Sequence, residues 1–223
     1  MEFIIFGMTD NFEKTKLFEQ TLEKGGFKYD LIKAPFHWGQ QQIHTLDWAK
    51  KNADKYSHFV YTDTWDVVVM GTWNELLLKV KALPNDFEFL GSCEKAYFPT
   101  NDEIKAKYWE CESEWKYMNG GGWLCKTETF IKWQEELPSY GVNDQEWLHI
   151  MFTRYQGHSV FRDTKCNIFQ SIAFDDGSDF EYQQTRIFNN KTLALSRTST
   201  IINTHHIVGS ATQITKNNCS IIC

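Results

Sequence analysis

The chain has 223 residues and a mass of 26.3 kDa, with a net charge of −6, 42% apolar residues and 16% aromatic residues. That length corresponds to one large domain or two small ones and is enough to bury a full core. The composition excludes a disordered chain, the acidic balance argues against nucleic acid as the main partner, and no apolar run approaches the ~18 residues of a membrane span.

Met1 to Phe6 is apolar with an acid at position 2. It lacks the basic start and length of a secretory signal and predicts a buried first strand. Asp10-Asn11-Phe12-Glu13 offers an N-cap to a helix carrying Phe12, Leu17, Phe18 and Leu22, which Gly25-Gly26 ends. Phe27 to Ile32 reads as a second strand. Residues 40–53 read as a helix with Ile43, Leu46 and Ala49 on one face. His58 to Tyr61 is a third strand, Val67 to Met70 a further apolar run, and Thr72-Trp73-Asn74-Glu75 a capping box before Leu76. Phe87 to Leu90 is a fourth strand, and helices are expected near 127–137 and 143–155. Strands alternating with helices predict a Rossmann-like α/β sheet, whose ligands bind outside the carboxyl ends of the strands.

The six cysteines form no Cys-x-x-Cys and read as free thiols. The sequons at Asn190 and Asn218 read as chance occurrences. There is no Walker A loop, no Gly-x-Gly-x-x-Gly and no Asp-x-Asp phosphatase motif. The informative segment is Phe59-Val60-Tyr61-Thr62-Asp63-Thr64-Trp65-Asp66-Val67-Val68-Val69. It sets two carboxylates three positions apart between apolar runs. Buried acids need compensation, and Mg²⁺ or Mn²⁺ is the natural candidate. A strand-end turn with one acid capping backbone groups is the alternative.

A series of blocks resembles the glycosyltransferase domain of the multifunctional procollagen lysyl hydroxylases. Phe59 to Val68 resembles that family's strand-Asp-Ser-Tyr-Asp-Val block, with Trp65 at the aromatic position. Ser92-Cys93-Glu94, Tyr117 to Trp123, Asn143-Asp144-Gln145, Cys166 to Gln170 and His206-Ile207-Val208-Gly209 resemble five further blocks in the family's order. Together they span about residues 1–212.

The resemblance implies an α/β, GT-A fold: a Rossmann-like mixed sheet flanked by helices in one domain over 1–223. The nucleotide-binding half would be about 1–95 and the acceptor-side half about 96–223. It implies a hexosyltransferase that uses a UDP-sugar donor (UDP-glucose or UDP-galactose), Mn²⁺ or Mg²⁺, and a hydroxyl acceptor on protein or glycan. Asp63, Asp66 and His206 would hold the metal. Thr9, Trp65, Glu94, Gly121, Gly122 and Gly209 would meet the nucleotide-sugar, with Trp65 on the uridine. Asp144, Gln145 and Asn119 would face the reacting sugar. Trp147, Met151 and Tyr155, at helical spacing, are expected in the core.

The chain departs from the family at Ile207 and Val208, which replace a Gly and an Asn, and at Thr212, which replaces a Lys; Lys216 is nearby. Gln40-Gln41-Gln42-Ile43-His44 stands where the family has Gly-Gly-Gly-Gln-Lys, and Asn143 where it has a second acid. The expected metal ligands are intact, while phosphate and sugar contacts are altered. The expectation is a stand-alone cytoplasmic transferase with no membrane span and no nucleic-acid partner. The competing readings are a degenerate module that binds nucleotide-sugar or glycan without turnover, and a nucleotide-sugar phosphohydrolase.

Overall fold

The structure, a computed structural model, describes residues 2–35, 39–139, 142–157, 159–171 and 200–203, the last four as backbone. Strands β1 (Phe3–Thr9), β2 (Tyr29–Lys33), β3 (His58–Thr62), β5 (Phe89–Glu94), β6 (Tyr117–Lys126) and β7 (Val160–Arg162) form one sheet in the order β2-β1-β3-β6-β5-β7. β1 pairs in parallel with β2 and β3, and β7 in parallel with β5, whereas β6 runs antiparallel between β3 and β5. A smaller sheet joins β4 (Val67–Met70), β9 (Thr200–Asn203) and β8 (Phe169–Ser171) in that order. This is the mixed α/β sheet expected of a GT-A domain.

Helices cover both faces. On one side lie α2 (Gln41–Asn52), α5 (Thr127–Glu136) and α6 (Asp144–Tyr155), packed on Ile4, Phe6, Phe59, Tyr61 and Trp123. On the other lie α1 (Lys16–Lys24) and α3 (Trp73–Lys81), packed on Phe3, Ile5, Val60 and Leu124. The short α4 (Asp102–Lys105) follows β5. Alternation along β1 sends Ile4 and Phe6 to one layer and Phe3 and Ile5 to the other, so an unbroken apolar run is needed. Much of the aromatic excess fills the first layer: Tyr61 stacks on Trp123 at 4.9 Å and Trp123 on Phe130 at 5.3 Å. Each such buried ring stabilises the fold by roughly 1.5–3 kcal/mol.

Several expectations shift. The segment after Asn11 begins as a 3-10 turn over Phe12–Thr15, and Phe12 stays exposed. The sheet-facing stripe of α2 is Gln41, Gln42, Thr45, Trp48 and Ala49, with Ile43 and Leu46 only partly covered. Trp48 rotates the helix by stacking on Phe6 at 4.3 Å. The glycine run lies inside β6 and not in a turn. At Gly120 a Cβ would crowd the Gln145 side chain at 3.3 Å, so a larger residue there would need α6 to give by a few tenths of an ångström. Trp147 and Met151 are buried as expected, and Tyr155 is partly so. Cys93, Cys111, Cys125 and Cys166 are free thiols; Cys219, Cys223, Asn190 and Asn218 lie outside the described residues.

Candidate active site at the strand ends

β1 sends β2 to one side and β3 to the other, so the carboxyl ends of β1 and β3 flank a topological switch point. Thr9 and Asp63 sit there. The Thr9 hydroxyl donates to the Asn11 carbonyl at 2.9 Å and accepts from the Trp65 indole N–H at 2.9 Å. Thr64 Oγ1 ties the same turn to the Met8 carbonyl at 2.8 Å. Trp65 is thereby held through its indole N–H; the residue is 36% exposed, and the Lys14 ammonium lies 3.7 Å from its ring centroid.

β6 delivers its amino end to the same edge. The Asp63 N–H donates to the Gly121 carbonyl at 3.0 Å, extending the β3–β6 pairing one residue beyond Thr62↔Gly122. Behind it stands Glu94, the last residue of β5, only 3% exposed. Its two carboxylate oxygens accept from Asn119 Nδ2 at 2.9 Å and Gln145 Nε2 at 2.5 Å. Each amide passes the constraint on. Asn119 Oδ1 accepts the Gly121 N–H at 2.9 Å, and Gln145 Oε1 accepts the Gly120 N–H at 3.0 Å. Burial pushes the Glu94 carboxyl up to about 7, against the pull of the two amide donors.

Asp144 opens α6. Asn143 caps that helix, its side chain accepting from Gln145 N at 3.0 Å and Glu146 N at 3.2 Å. Burial raises the Asp144 carboxyl, opposed by backbone N–H groups of the first turn. The Asp63 carboxyl is enclosed at the strand end, though part of the residue opens to solvent. Burial raises it well above the usual carboxylate range, and the charges of Asp66 and Asp144 add to this. The Tyr61 hydroxyl, donating at 3.3 Å, opposes the shift.

A pair of acids repelling each other in a partly desolvated turn fits an oxygen-favouring divalent cation, which relieves that repulsion. Among the described residues, no group of three or more His, Cys, Asp or Glu is gathered to hold a metal unaided. The third expected ligand, His206, lies outside the described residues, as do Gly209, Ile207, Val208, Thr212 and Lys216.

The other expected site residues share this edge. Thr9 and Glu94 end β1 and β5, Asp63, Trp65 and Asp66 lie in the turn after β3, Asn119, Gly121 and Gly122 lie within the first six residues of β6, and Asp144 and Gln145 open α6. Gly121 has its N–H and carbonyl engaged by Asn119 and Asp63, and Gly122 is paired with Thr62. The sequence reading missed Tyr61, whose hydroxyl meets Asp63, and the Phe98 carbonyl, which accepts from Gln145 Nε2 at 2.6 Å and His149 Nε2 at 2.9 Å. Tyr61 falls inside an apolar strand, and a carbonyl carries no residue-type signal.

The family profile described as the PLOD GT domain matches residues 13–215. The uncharacterized protein R699 of Acanthamoeba polyphaga mimivirus is 25% identical over 156 residues, covering 69% of this chain and 33% of that protein. The chain thus spans about a third of the length of that curated relative. A glycosyltransferase involved in glycosylation of the major capsid of PBCV-1 is similar in structure at TM-score 0.47 and 12% identity, covering 73% of this chain and 81% of its own. The galactosyltransferase LgtC, solved with donor and acceptor sugar analogs, gives TM-score 0.47 and 13% identity, covering 91% and 86%.

Proposed function

Since the chain belongs to the PLOD glycosyltransferase-domain family, we propose that it moves a hexose from a UDP-sugar, UDP-glucose or UDP-galactose, to a hydroxyl acceptor on protein or glycan. The observation that carries this reading is the convergence of Asp63, Asp66 and Asp144 on one strand-end edge, where burial and the charges of the other two acids raise the Asp63 carboxyl. Asp63 and Asp66, with His206, are the residues that would hold Mn²⁺ or Mg²⁺; bound there, the cation supplies charge stabilisation to the departing diphosphate.

The chain's own residues do the rest. Trp65, steadied by Thr9, offers a flat face to the uracil ring. Asp144 stands where positive charge develops at the anomeric carbon as its bond to the diphosphate oxygen breaks and a bond to the acceptor oxygen forms. The acceptor hydroxyl loses its proton in that exchange. Asn119 and Gln145 hold the Gly120–Gly121 backbone that sets Asp63. Glu94 acts through those two amides. Gly209 is assigned to the donor phosphates on the family resemblance alone. The single-domain reading of 1–223, with its two halves, belongs to the same proposal.

Incubation with UDP-glucose and UDP-galactose, with and without Mn²⁺, tests the reading. UDP should be released only with Mn²⁺, and Asp66→Ala should abolish release. Full activity in that variant would sink the metal assignment. UDP binding without release would make the chain a binding module. Release of UMP and sugar phosphate would make it a phosphohydrolase. No helix among the described residues is long and apolar enough to cross a membrane.

A further inference from the structure

Cys93, Cys111 and Cys166 come from three separate segments and gather where β5 and β7 end. Cys93 is the next-to-last residue of β5; its fully buried thiol lies 3.8 Å from the Gly91 carbonyl. The same carbonyl accepts the Asp163 N–H at 2.9 Å, so the chain leaving β7 passes beside Cys93. The Cys166 N–H then closes a turn onto the Asp163 carbonyl at 3.1 Å, which keeps Cys166 near that crossing.

Cys111 reaches the same place from the segment before β6, and two anchors bracket it. The Trp109 carbonyl accepts from Arg162 Nη2 at 3.0 Å, and Ser113 Oγ donates to the Thr164 carbonyl at 2.6 Å. Arg162 Nη1 adds a bond to the Lys116 carbonyl at 2.7 Å. Residues 109–116 therefore lie along residues 162–166. Cys111 and Cys166 each stand two positions from the Ser113–Thr164 contact. The Cys93 thiol registers both: burial pushes it well up, Arg162 opposes the rise, and Asp163, Cys166 and Cys111 add to it.

The three thiols are placed differently. Cysteine often fills a core as a small apolar residue, and Cys93 fits that description. Cys111 and Cys166 do not, because both are partly exposed. Cys166 also has a φ of 52°, the one non-glycine residue at positive φ among the described residues. Glycine or asparagine would adopt that conformation at lower cost. Among the described residues, no group of three or more His, Cys, Asp or Glu is gathered to hold a metal, so the reactive unit is the accessible pair.

We propose that Cys111 and Cys166 form an oxidisable dithiol, which a hydroperoxide converts to a disulfide clasping the segment before β6 to the turn after β7. Cys166 starts the step: Lys165 precedes it, and a nearby cation favours the attacking thiolate. Its sulfur attacks a peroxide oxygen, the O–O bond breaks, and the departing hydroxide takes up a proton to leave as water. The Cys111 sulfur then attacks the resulting sulfenic acid, the S–O bond breaks, and a second water leaves with the Cys111 proton. Two electrons pass from the sulfurs to the peroxide. Cys93, enclosed and held as a thiol, takes no part. Neither sulfur belongs to the strand-end site, so the dithiol stands independently of the transferase reading.

The test treats the full chain, carrying Cys219→Ser and Cys223→Ser, with hydrogen peroxide, alkylates the remaining thiols after unfolding, and maps unreduced peptides by mass spectrometry. A peptide linking Cys111 to Cys166 should form within one chain and be reversed by dithiothreitol, with Cys93 and Cys125 recovered as alkylated thiols. The oxidised chain should melt about 5 °C or more above the reduced chain, because the crosslink closes a long loop of the unfolded state. Cys111→Ser should lose both the link and the rise, and leave Cys166 as a sulfenic acid that dimedone traps. The peptide map on the chain with both thiols intact decides the pairing whether or not that variant folds. No linked peptide, a link from Cys166 to Cys93, or a link between chains overturns the proposal.

Discussion

Glu94 and Gln145 are joined carboxylate oxygen to amide nitrogen at 2.5 Å, and through that contact the end of β5 controls the backbone of β6. Gln145 Oε1 receives Gly120 N–H, while Asn119, held by the other Glu94 oxygen, receives Gly121 N–H. The Gly121 carbonyl then takes Asp63 N–H. One buried acid thus sets the backbone position of another, Asp63, without touching it.

The relay works only with an ionised Glu94, because both its partners are N–H donors whose oxygens are already committed. With its carboxyl pushed up to about 7, protonation breaks one contact as pH falls through neutrality. Donor turnover should rise through about pH 7. Glu94→Gln, which mimics the protonated acid, should lose roughly tenfold or more in kcat/KM and lose that pH limb. For stability the sign is opposite. A carboxyl raised in the fold favours the folded state below its unfolded value near 4.5, and this contribution disappears as pH rises through about 7. Glu94→Gln should therefore flatten the decline of Tm between about pH 4.5 and 7.

The charges of Asp66 and Asp144 press on the buried Asp63 carboxyl, and the cation proposed above would relieve them. Asp63→Asn removes the charge while keeping an acceptor for the Tyr61 hydroxyl. Without divalent cation the variant should melt about 2–4 °C higher than wild type, in keeping with roughly 1 kcal/mol in a chain of this size. The rise in Tm that Mn²⁺ gives the wild type should vanish. Parallel melts with and without Mn²⁺ decide both points.

Trp65 is held by its N–H, and the stacking role proposed for its ring separates from that bond by substitution. Trp65→Phe keeps a ring and loses the bond to Thr9; Trp65→Ala loses both. UDP affinity by calorimetry should fall severalfold in the first and about tenfold or more in the second. Equal, unimpaired affinity in both would remove the uracil-stacking role.

Asn143 anchors the α6 start through two N–H acceptances. Asn143→Ala should cost about 1 kcal/mol of stability in denaturant unfolding. It should also lower activity beyond that loss, because the same cap fixes Gln145 and Asp144.

His149 donates from Nε2 to the Phe98 carbonyl and accepts the Tyr108 hydroxyl at Nδ1. Burial lowers it to about 4, against the help of the Phe98 carbonyl. His58 is lowered to about 4 as well, by burial and by nearby positive charge. A histidine depressed in the fold contributes stability that is complete above about 6.5 and is lost as pH falls towards its folded value. Tm should decline from pH 6.5 towards 4. A ring titration by NMR should find His149 neutral and protonated on Nε2 until near pH 4.

The order and type of the major elements were legible in the chain because apolar runs and caps are local signals. Phe3–Phe6 reads as a central parallel strand and becomes β1 between two parallel neighbours. Asn143 reads as a cap and is one. Asp63 and Asp66 stood out in the chain because charge between apolar runs demands compensation, whereas Asp144 stood out only through the family resemblance. The direction of β6 and the rotation of α2 were not legible. An antiparallel central strand leaves the same apolar pattern as a parallel one, and α2 is turned by Trp48 finding Phe6, a contact between residues 42 positions apart.

By itself, then, the sequence determined the α/β class, the strand-end placement of Asp63 and Asp66, and the family to which the chain is similar in its motif blocks. Those properties follow from side-chain type and short spacing. Only the tertiary structure decided that Glu94 governs the glycine strand from behind, that Asp144 adds its charge to Asp63, and that Gln42 is buried with its amide unmet. Each of these depends on distance across the sheet. Burial and electrostatics act through space, and no spacing along the chain encodes which distant groups will share one low-dielectric edge.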